Sequence, residues 1–278
     1  MCRMIRIEDL CFAYWKEEVV SGFSLSVGSG ETVMLTGPNG AGKSTVLRLL
    51  AGVLQPASGS VDHGFAEGVD PRARTAYLPD SLSMYESMTP GEAARFHSDI
   101  YGTDPADLSL AKKAGVNADR PLKDLSVGQR VLVHLSIVLS TEPDLILIDE
   151  VLHSVDPYLR DMVFSELIRV IQERSPAVVM VNLNFHEVEN LVDRVVFMGR
   201  NGVRLDEKVE HLKSRTLRIR AEEVPGDLPV LLSRETAGGR SHILYPVEDL
   251  SGIPESCSAE RMSLTEIMTA FMETEYDV

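Results

Sequence analysis

The amino-acid sequence predicts an α/β fold with a parallel-sheet core, an antiparallel β subdomain, a helical subdomain and a small C-terminal α+β tail. A short apolar run at residues 32–36 leads into a glycine-rich loop and then into a helical pattern. Further apolar runs at 145–148 and 177–183 alternate with segments of helical periodicity, which is the order of a parallel sheet covered by helices. Past residue 204, proline and glycine separate short strand-like pieces, which predicts a separate tail.

Composition limits the class of protein. The 278 residues allow one large domain and a small appendage, and a hydrophobic content of 44% with 25% charged residues is typical of a globular chain. A net charge of −15 argues against nucleic acid as a partner, since phosphate contacts need a basic face, but it permits a basic protein partner. The sequence shows neither a membrane-length apolar run nor a signal-peptide pattern, so we expect a cytosolic chain. Cys2, Cys11 and Cys257 have no metal-ligand spacing and are predicted to be free thiols.

The first part of the chain reads as strands followed by a helical insert. Residues 4–9, 23–27 and 32–36 predict an antiparallel β start that leads into the strand before the loop, with a turn at 28–30. A short strand is predicted at 75–78. The more polar, helical stretch at 88–125 then predicts a helical subdomain over about residues 82–126.

The second part returns to alternating helices and strands. Ser126 is placed to cap a helix over 127–140, the strand at 145–148 follows, and helices are predicted at 158–173 and 186–192 around the strand at 177–183. A capping box from Ser263 to Glu266 opens a last amphipathic helix. We therefore expect a core domain over residues 1–208 and an accessory domain over 209–278, the latter without a catalytic constellation.

The loop at residues 37–45 reads Gly-Pro-Asn-Gly-Ala-Gly-Lys-Ser-Thr, between a strand and a helix. Its glycines let successive backbone N–H groups converge on one anion, and the helix N-terminus adds a positive dipole end. In this context Lys43 is predicted to reach the β- and γ-phosphates and Ser44 to ligate Mg²⁺. The predicted nucleotide contacts in the loop are Asn39, Gly40, Ala41, Gly42, Lys43, Ser44 and Thr45. The sequence therefore predicts a site for a nucleoside triphosphate.

Two acidic residues follow the apolar strand at 145–148. Asp149 is predicted to hold Mg²⁺ through its water shell, since an acid at the carboxyl end of a parallel strand lies beside such a loop. Glu150 is predicted to polarise the attacking water as a general base, an effect of about 10²–10⁴-fold in rate. Lys43 and Glu150 are the predicted catalytic residues.

A third motif, Leu-Ser-Val-Gly-Gln at residues 125–129, stands at a helix start about twenty residues before Asp149. Here the sequence resembles the ATP-binding cassette (ABC) ATPases, whose signature L-S-G-G-Q has this shape and place; the resemblance spans roughly residues 4–204. It implies a P-loop NTPase fold of the ABC type that binds ATP and Mg²⁺. It also implies a head-to-tail dimer, with itself or a homologous ATPase, in which Ser126, Gly128 and Gln129 close on the γ-phosphate held by the opposite subunit.

The resemblance assigns further roles residue by residue. Tyr14 matches the aromatic that stacks on adenine, although an aromatic at a strand end is often only part of the core. Asp156 matches a loop that contacts the partner subunit. Asp80 stands where the family usually has Gln, as a contact to Mg²⁺ that is coupled to the membrane subunit; its shorter side chain leaves direct metal contact open.

The position of the family's switch histidine falls on Leu183 in this sequence. An isobutyl group cannot donate a hydrogen bond to a γ-phosphate, and losing one such donor commonly lowers a rate by about 10²–10³-fold. His186, Asn182 or Asn184 could replace the missing donor, although His186 fits a helix-surface position better. The sequence therefore predicts slow hydrolysis with intact ATP binding.

The resemblance implies the ATP-hydrolysing motor subunit of an ABC transporter, encoded apart from its transmembrane permease and peripheral on the inner face of the cell membrane. The sequences of residues 78–92 and of the tail are similar to those of exporter ATPases. The alternative is a weakly hydrolysing regulatory or asymmetric ATP-binding partner of another ABC ATPase, which Leu183 and Asp80 favour and which Glu150 and the intact signature oppose. A soluble translation or repair ATPase is disfavoured, because the chain lacks paired cassettes and long coiled coils.

Overall fold

The structure is a computed structural model that describes residues 4–82, 86–150, 152, 155–181, 185–200, 202–224, 228–236, 239–248, 253 and 257–276. The chain divides into two compact units. The first comprises residues 1–35 and 42–182, and the second comprises 36–41 and 183–278. The division passes through the glycine-rich loop, so residues 36–41 are described with the second unit.

The first unit contains the parallel strands and most of the helices. Its strands are β1 (Met4–Tyr14), β2 (Glu17–Gly28), β3 (Thr32–Thr36), β4 (Ser58–Asp62), β5 (Thr75–Leu78), β6 (Leu145–Asp149) and β7 (Ala177–Val181). Its helices are α1 (Lys43–Leu50), α2 (Pro90–Tyr101), α3 (Ser109–Lys113), α4 (Val127–Leu139) and α5 (Pro157–Arg174). Two 3₁₀ turns, Pro71–Arg74 and Leu122–Asp124, connect them.

The central sheet of this unit is parallel, with strands in the order β5–β6–β7–β3. Every residue of β3, β6 and β7 is buried, as expected for parallel strands covered on both faces. This agrees with the predicted α/β core. Because the strands are parallel, the carboxyl ends of β6 and β5 meet at one edge, where Asp149 and Tyr77 come together.

The antiparallel sheet has the order β2–β1–β4. β1 runs to Tyr14, well past the predicted end at residue 9, because its pairing with β2 continues through several register shifts. β4 was not predicted: its five residues are exposed or half-buried, and the strand is held by pairing with β1 rather than by an apolar pattern.

The helices α2, α3 and α4 share a small apolar core with the segments that connect them. A capping box between Thr89 and Glu92 starts α2 with Pro90 in its first turn, and Gly102 ends it in the left-handed conformation. The core consists of Ala93, Ala94, Ala111, Val116, Leu122, Leu125, Val133 and Ile137. The predicted helical insert is therefore present between β5 and β6.

The second unit is an α+β assembly. Its strands are β8 (Arg194–Gly199), β9 (Gly202–Lys208), β10 (Leu217–Arg220), β11 (Val230–Thr236), β12 (Gly239–Leu244) and β13 (Ser258–Arg261), and its helices are α6 (Phe185–Val188), α7 (Val209–Arg215) and α8 (Leu264–Tyr276). The hairpin of β8 and β9 was not predicted. A four-stranded antiparallel sheet has the order β11–β12–β10–β13.

The last helix begins as its sequence predicted. The Ser263 backbone N–H donates to Glu266 Oε2 at 2.9 Å, and the Glu266 N–H donates to Ser263 Oγ at 3.3 Å, which is the reciprocal pattern of a capping box. Ile267, Met268 and Phe271 of α8 are buried. The boundary at residues 208/209 stays a prediction.

Among the described residues, no helix combines the length and the apolar character needed to cross a bilayer.

We expect the free energy of unfolding to fall between pH 7.5 and pH 5.5 because of His134. Its Nε2 lies 2.9 Å from the Tyr77 carbonyl oxygen, so this nitrogen carries the proton, and burial lowers the pKa of His134 below its usual value. Burial and the neighbouring His134 also lower the pKa of His97. Below about pH 6.5 the unfolded chain takes up protons that the folded chain excludes, which destabilises the fold by up to about 1.4 kcal/mol per pH unit and histidine.

Urea unfolding at pH 7.5, 6.5 and 5.5 measures this slope. His134→Gln keeps an N–H donor without titrating, so its loss of stability over this range should be smaller than that of the wild type. An identical slope in the two proteins would contradict the assignment.

Candidate functional site

The N-terminus of α1 is held tightly against β2. Gly42 caps the helix with φ +89°, and a Cβ at this position would lie 2.7 Å from the Val19 carbonyl oxygen. A side chain is therefore excluded here by both the backbone conformation and the space. Lys43 and Thr45 follow in the first turn and are buried. The first N–H groups of α1 have no partner within the helix, which makes this end suited to an anion.

The preceding part of the loop belongs to the second unit. Gly37 has φ +136°, and a Cβ there would lie 2.0 Å from the Met198 carbonyl oxygen, so only glycine fits. Asn39 and Gly40 are exposed, Gly40 has φ +85°, and Ala41 N–H donates to the Pro38 carbonyl at 3.3 Å. Asn39 and Gly40 are thus accessible to a ligand.

Ser44 and Asp149 are brought into direct contact, although they are far apart in the sequence. Ser44 Oγ donates to Asp149 Oδ1 at 2.8 Å, and the Tyr77 hydroxyl donates to Asp149 Oδ2 at 3.4 Å. Asp149 is fully buried, and this burial raises its pKa, while the bond from Ser44 opposes the rise. Burial and the nearby Asp149 carboxylate raise the pKa of Tyr77 to about 12.

Lys43 and Glu150 complete the charged part of the site. Burial lowers the pKa of Lys43, and the carboxylates of Glu150 and Asp149 act in the opposite direction. Glu150 has φ +46° and its N–H donates to the Val181 carbonyl at 3.1 Å. A left-handed conformation at a non-glycine residue costs about 1–3 kcal/mol, and such strain is concentrated at functional positions. Lys43 therefore lies in the field of two carboxylates at the carboxyl end of β6.

The oxygen ligands at this site suit Mg²⁺, and they are too few to hold a metal ion without water or substrate ligands. A serine hydroxyl and a carboxylate are hard oxygen donors, and Mg²⁺ commonly takes only one or two protein ligands beside water and substrate phosphates. In the described ranges, no group of three or more His, Cys, Asp or Glu side chains could hold a metal ion. Ser44 and Asp149 are consequently the candidate metal residues.

Asp80, the third predicted metal residue, is engaged by Arg48. Arg48 Nη2 lies 3.4 Å from Asp80 Oδ1, and the same oxygen accepts from Ser81 N–H at 2.8 Å. A hydrogen bond to the Tyr14 hydroxyl raises the pKa of Arg48, and the Tyr77 hydroxyl adds to this effect. Asp80 as a metal contact stays a prediction.

Arg48 and Tyr77 were not singled out from the sequence. Arg48 lies one helical turn after Ser44 on the same face of α1, and this i, i+4 spacing is the sequence signal that could have identified it. Tyr77 is a half-buried residue of β5, directly before the last residue of that strand.

Tyr14, the predicted adenine contact, stands at the end of β1. It is 38% exposed, and its ring packs edge-on against Phe12, with the ring centroids 4.8 Å apart. Among the described residues its ring therefore has one aromatic neighbour, and part of its surface is accessible.

The signature residues begin α4. Ser126 Oγ accepts from Gln129 N–H and Gln129 Oε1 accepts from Ser126 N–H, each at 3.2 Å, so the two residues form a capping box. Gly128 is buried, and a Cβ there would lie 2.6 Å from Leu159 Cδ1. Asp156 caps α5 by accepting from Leu159 N–H at 3.1 Å. These contacts fix the start of both helices; the predicted contacts across a dimer stay predictions.

The switch position and its flanking residues, Leu183, Asn182 and Asn184, lie outside the described residues. His186 is described and is exposed on the short helix α6. Its replacement of the switch histidine stays a prediction.

A glycine loop before a buried lysine, a helix N-terminus and a strand-end carboxylate define a phosphate-binding protein of the P-loop class. The family model described as "ABC transporter" matches residues 20–153. The zinc import ATP-binding protein ZnuC of Cereibacter sphaeroides is 36% identical over 202 residues, which cover 71% of this chain and 80% of that protein. ZnuC of Pseudomonas fluorescens is 32% identical over 201 residues, with coverage of 71% and 74%.

A further relative, the lactose transport ATP-binding protein LacK of Rhizobium radiobacter, is 34% identical over 209 residues, 72% of this chain and 57% of that protein. Among solved structures, the ATP-binding subunit of an ABC transporter matches with a TM-score of 0.68 at 22% identity and covers 76% of this chain and 92% of that chain. A nucleotide-free ATP-binding cassette matches with a TM-score of 0.60 at 20% identity, with coverage of 75% and 92%. At these identities the structures show the fold alone.

The chain belongs to the family of ABC transporter ATP-binding subunits. The predicted family and fold class are thereby confirmed.

Proposed function

We propose that this chain binds and hydrolyses ATP as the motor subunit of an ABC transporter. The observation that carries the proposal is the contact of Ser44 with the buried Asp149 beside Lys43, at the N-terminus of α1. Family membership supports ATP binding and a role in transport.

In this proposal each group of site residues has its own role in ATP hydrolysis. The loop N–H groups and Lys43 bind the phosphates, and the N-terminal end of α1 adds its dipole. Ser44 and Asp149 would hold Mg²⁺, which would supply positive charge to offset that of the phosphates. Glu150 orients the attacking water and accepts its proton as the general base. Tyr14 stacks on the adenine.

The partners follow from the same proposal. A head-to-tail dimer places Ser126, Gly128 and Gln129 on the nucleotide of the opposite subunit, with Asp156 in the contact. A separate permease receives the motion of dimer closure and places the chain at the inner face of the membrane. The names of the relatives as ATP-binding proteins of zinc import and lactose transport support a transporter partner.

The sequence of residues 78–92 favours an exporter. Two of the relatives described above are named for zinc import, however, so export stays a prediction. We propose residues 1–208 as the ATPase domain and 209–278 as an accessory domain.

The alternative function is a regulatory ATP-binding partner that turns over little ATP. Leu183 favours it, since this side chain cannot donate to a γ-phosphate. Asp80 favours it as well, because its side chain is shorter than that of the Gln usual in the family and contacts Mg²⁺ less readily. Glu150 favours the catalytic subunit.

Leu183→His distinguishes the two functions. We expect the wild type to bind ATP and hydrolyse it slowly, and the variant to hydrolyse it at least about tenfold faster, because the new imidazole restores a donor to the γ-phosphate. Steady-state phosphate release by the purified chain with ATP and Mg²⁺ measures the rate, and calorimetry measures ATP affinity. Leu183→Met is the control. ATP binding without hydrolysis in all three proteins would assign the chain to the regulatory function.

A further inference from the structure

The last turn of α8 carries a buried carboxylate, that of Glu275. This residue is only 7% exposed, although a glutamate is rarely buried unless it is paired. Its negative charge also lies at the C-terminal end of a helix, where the helix dipole disfavours an anion. Solvation and local helix electrostatics both disfavour an acid at position 275, so its partners outside α8 must compensate.

The partners of this carboxylate come from the β8–β9 hairpin. Arg204 Nη1 donates to Glu275 Oε1 at 2.5 Å, and the Arg200 backbone N–H donates to Glu275 Oε2 at 3.2 Å. Arg204 Nη1 also donates to Thr274 Oγ1 at 3.1 Å. Burial acts to raise the pKa of Glu275, but the bonds from Arg204 and from the Arg200 N–H lower it below its usual value. The end of α8 is therefore fastened to the hairpin by a charged pair and a backbone bond.

The hairpin is shaped for this contact. The pairing of β8 with β9 shifts register between residues 197 and 198, which leaves Arg204 as an extra residue on β9. Such a bulge changes the direction of a side chain. A Cβ on Gly199 would lie 2.8 Å from Arg204 Cδ and 2.9 Å from Glu275 Oε1. The pair of Arg204 and Glu275, here called the hairpin clamp, therefore lies directly over the backbone of Gly199.

The same segment of β8 supports the start of the phosphate-binding loop. A Cβ on Gly37 would lie 2.0 Å from the Met198 carbonyl oxygen, so the two backbones are in direct contact. One residue earlier, the ring of Phe197 packs against that of Phe271 in α8, with the centroids 5.6 Å apart. One residue later, Gly199 lies under the hairpin clamp. α8 thus contacts both chain neighbours of the residue on which Gly37 rests.

We propose that Glu275 is a positioning residue for phosphate binding: through the hairpin clamp, the last helix holds the Met198 carbonyl against Gly37 and so fixes the start of the loop. The inference rests on the proposed ATP binding and gives the C-terminal tail a role in it. A loop whose N–H groups are already in place loses less conformational entropy when it binds an anion. Without the clamp the same contacts form at a higher entropic cost, so the affinity for a triphosphate falls.

Hydrogen exchange of the nucleotide-free, full-length chain tests this support directly. We expect the backbone amides of residues 36–41 to exchange about three- to tenfold faster in Glu275→Ala than in the wild type. Glu273→Ala is the matched control, because Glu273 lies on the same helix and accepts from Arg234 Nε of β11 at 2.8 Å. Exchange of residues 36–41 should stay at the wild-type rate in this control. Alanine is a good helix former, so both variants should keep α8.

Calorimetry with ATP and with inorganic tripolyphosphate, each with Mg²⁺, measures the effect on binding. We expect both ligands to bind Glu275→Ala about three- to tenfold more weakly, because the loop contacts the phosphates that they share. Arg204→Ala should also weaken binding. The double variant Arg204→Ala/Glu275→Ala should lose no more affinity than Glu275→Ala alone, since the two side chains act as one unit. Glu273→Ala should bind both ligands normally.

The outcomes separate this inference from the proposed function. Wild-type affinity in Glu275→Ala overturns the role in phosphate binding, and a lower unfolding temperature alone leaves the clamp as a packing contact of the tail. Equal effects in Glu275→Ala and Glu273→Ala also overturn it, because loosening of the whole tail would then be the cause. Failure of the wild type to bind ATP or tripolyphosphate overturns the proposed function, whereas exchange of residues 36–41 still decides whether the clamp supports the loop.

Discussion

Glu150→Gln is expected to lower the rate of ATP hydrolysis by about 10²–10⁴-fold and to leave ATP binding intact. The substitution keeps the size of the side chain and removes the group that accepts the proton of the attacking water. The Glu150 backbone is held by its N–H bond to Val181, so the replaced amide should occupy the same place. Steady-state phosphate release measures the rate, and calorimetry measures ATP affinity.

Glu142→Gln is a matched control for this experiment. Glu142 also has a left-handed backbone, with φ +52°, and its carboxylate pairs with Arg174 at 2.9 Å, away from Asp149. We expect this variant to hydrolyse ATP at the wild-type rate. An ATP-bound dimer that accumulates only in Glu150→Gln, seen by size-exclusion chromatography, would support the proposed head-to-tail pairing. An unchanged rate in Glu150→Gln would contradict the role of Glu150 as the general base.

Lys43→Met is expected to weaken ATP binding by about 10²-fold or more, because breaking a buried charge pair commonly costs about 3–5 kcal/mol. Without the ammonium group, Asp149 and Glu150 face the phosphates with less opposing charge, and the repulsion adds to the lost contact. Calorimetry with ATP and Mg²⁺ measures the affinity.

The unfolding temperature shows whether the loss of ATP binding in Lys43→Met is caused by unfolding of the chain. Burial lowers the pKa of Lys43, which means that the surroundings disfavour its charge, so the apolar Met should be tolerated at position 43. We expect the unfolding temperature of Lys43→Met to equal or exceed that of the wild type. Lys112→Met, at an exposed lysine of α3, should bind ATP normally. Tight ATP binding by Lys43→Met would rule out the proposed phosphate contact.

Elements with strong local signals were predicted closely. The apolar run before Asp149, the capped helix after Ser126 and the capping box at Ser263 each depend on residues within one element. β4 and the β8–β9 hairpin were missed. The five residues of β4 carry little apolar pattern of their own, and pairing with β1 defines that strand.

The sequence by itself determined the class of the site, because the glycine loop, Lys43 and Ser44 are contiguous and their chemistry follows from their order along one strand, loop and helix. Only the tertiary structure decided which side chains meet there. It placed Asp149 on Ser44, added Tyr77 to the same carboxylate and paired Asp80 with Arg48. The physical reason is that these contacts depend on the parallel ends of β5 and β6 and on the packing of α1 against them, which bring together residues that no local pattern relates.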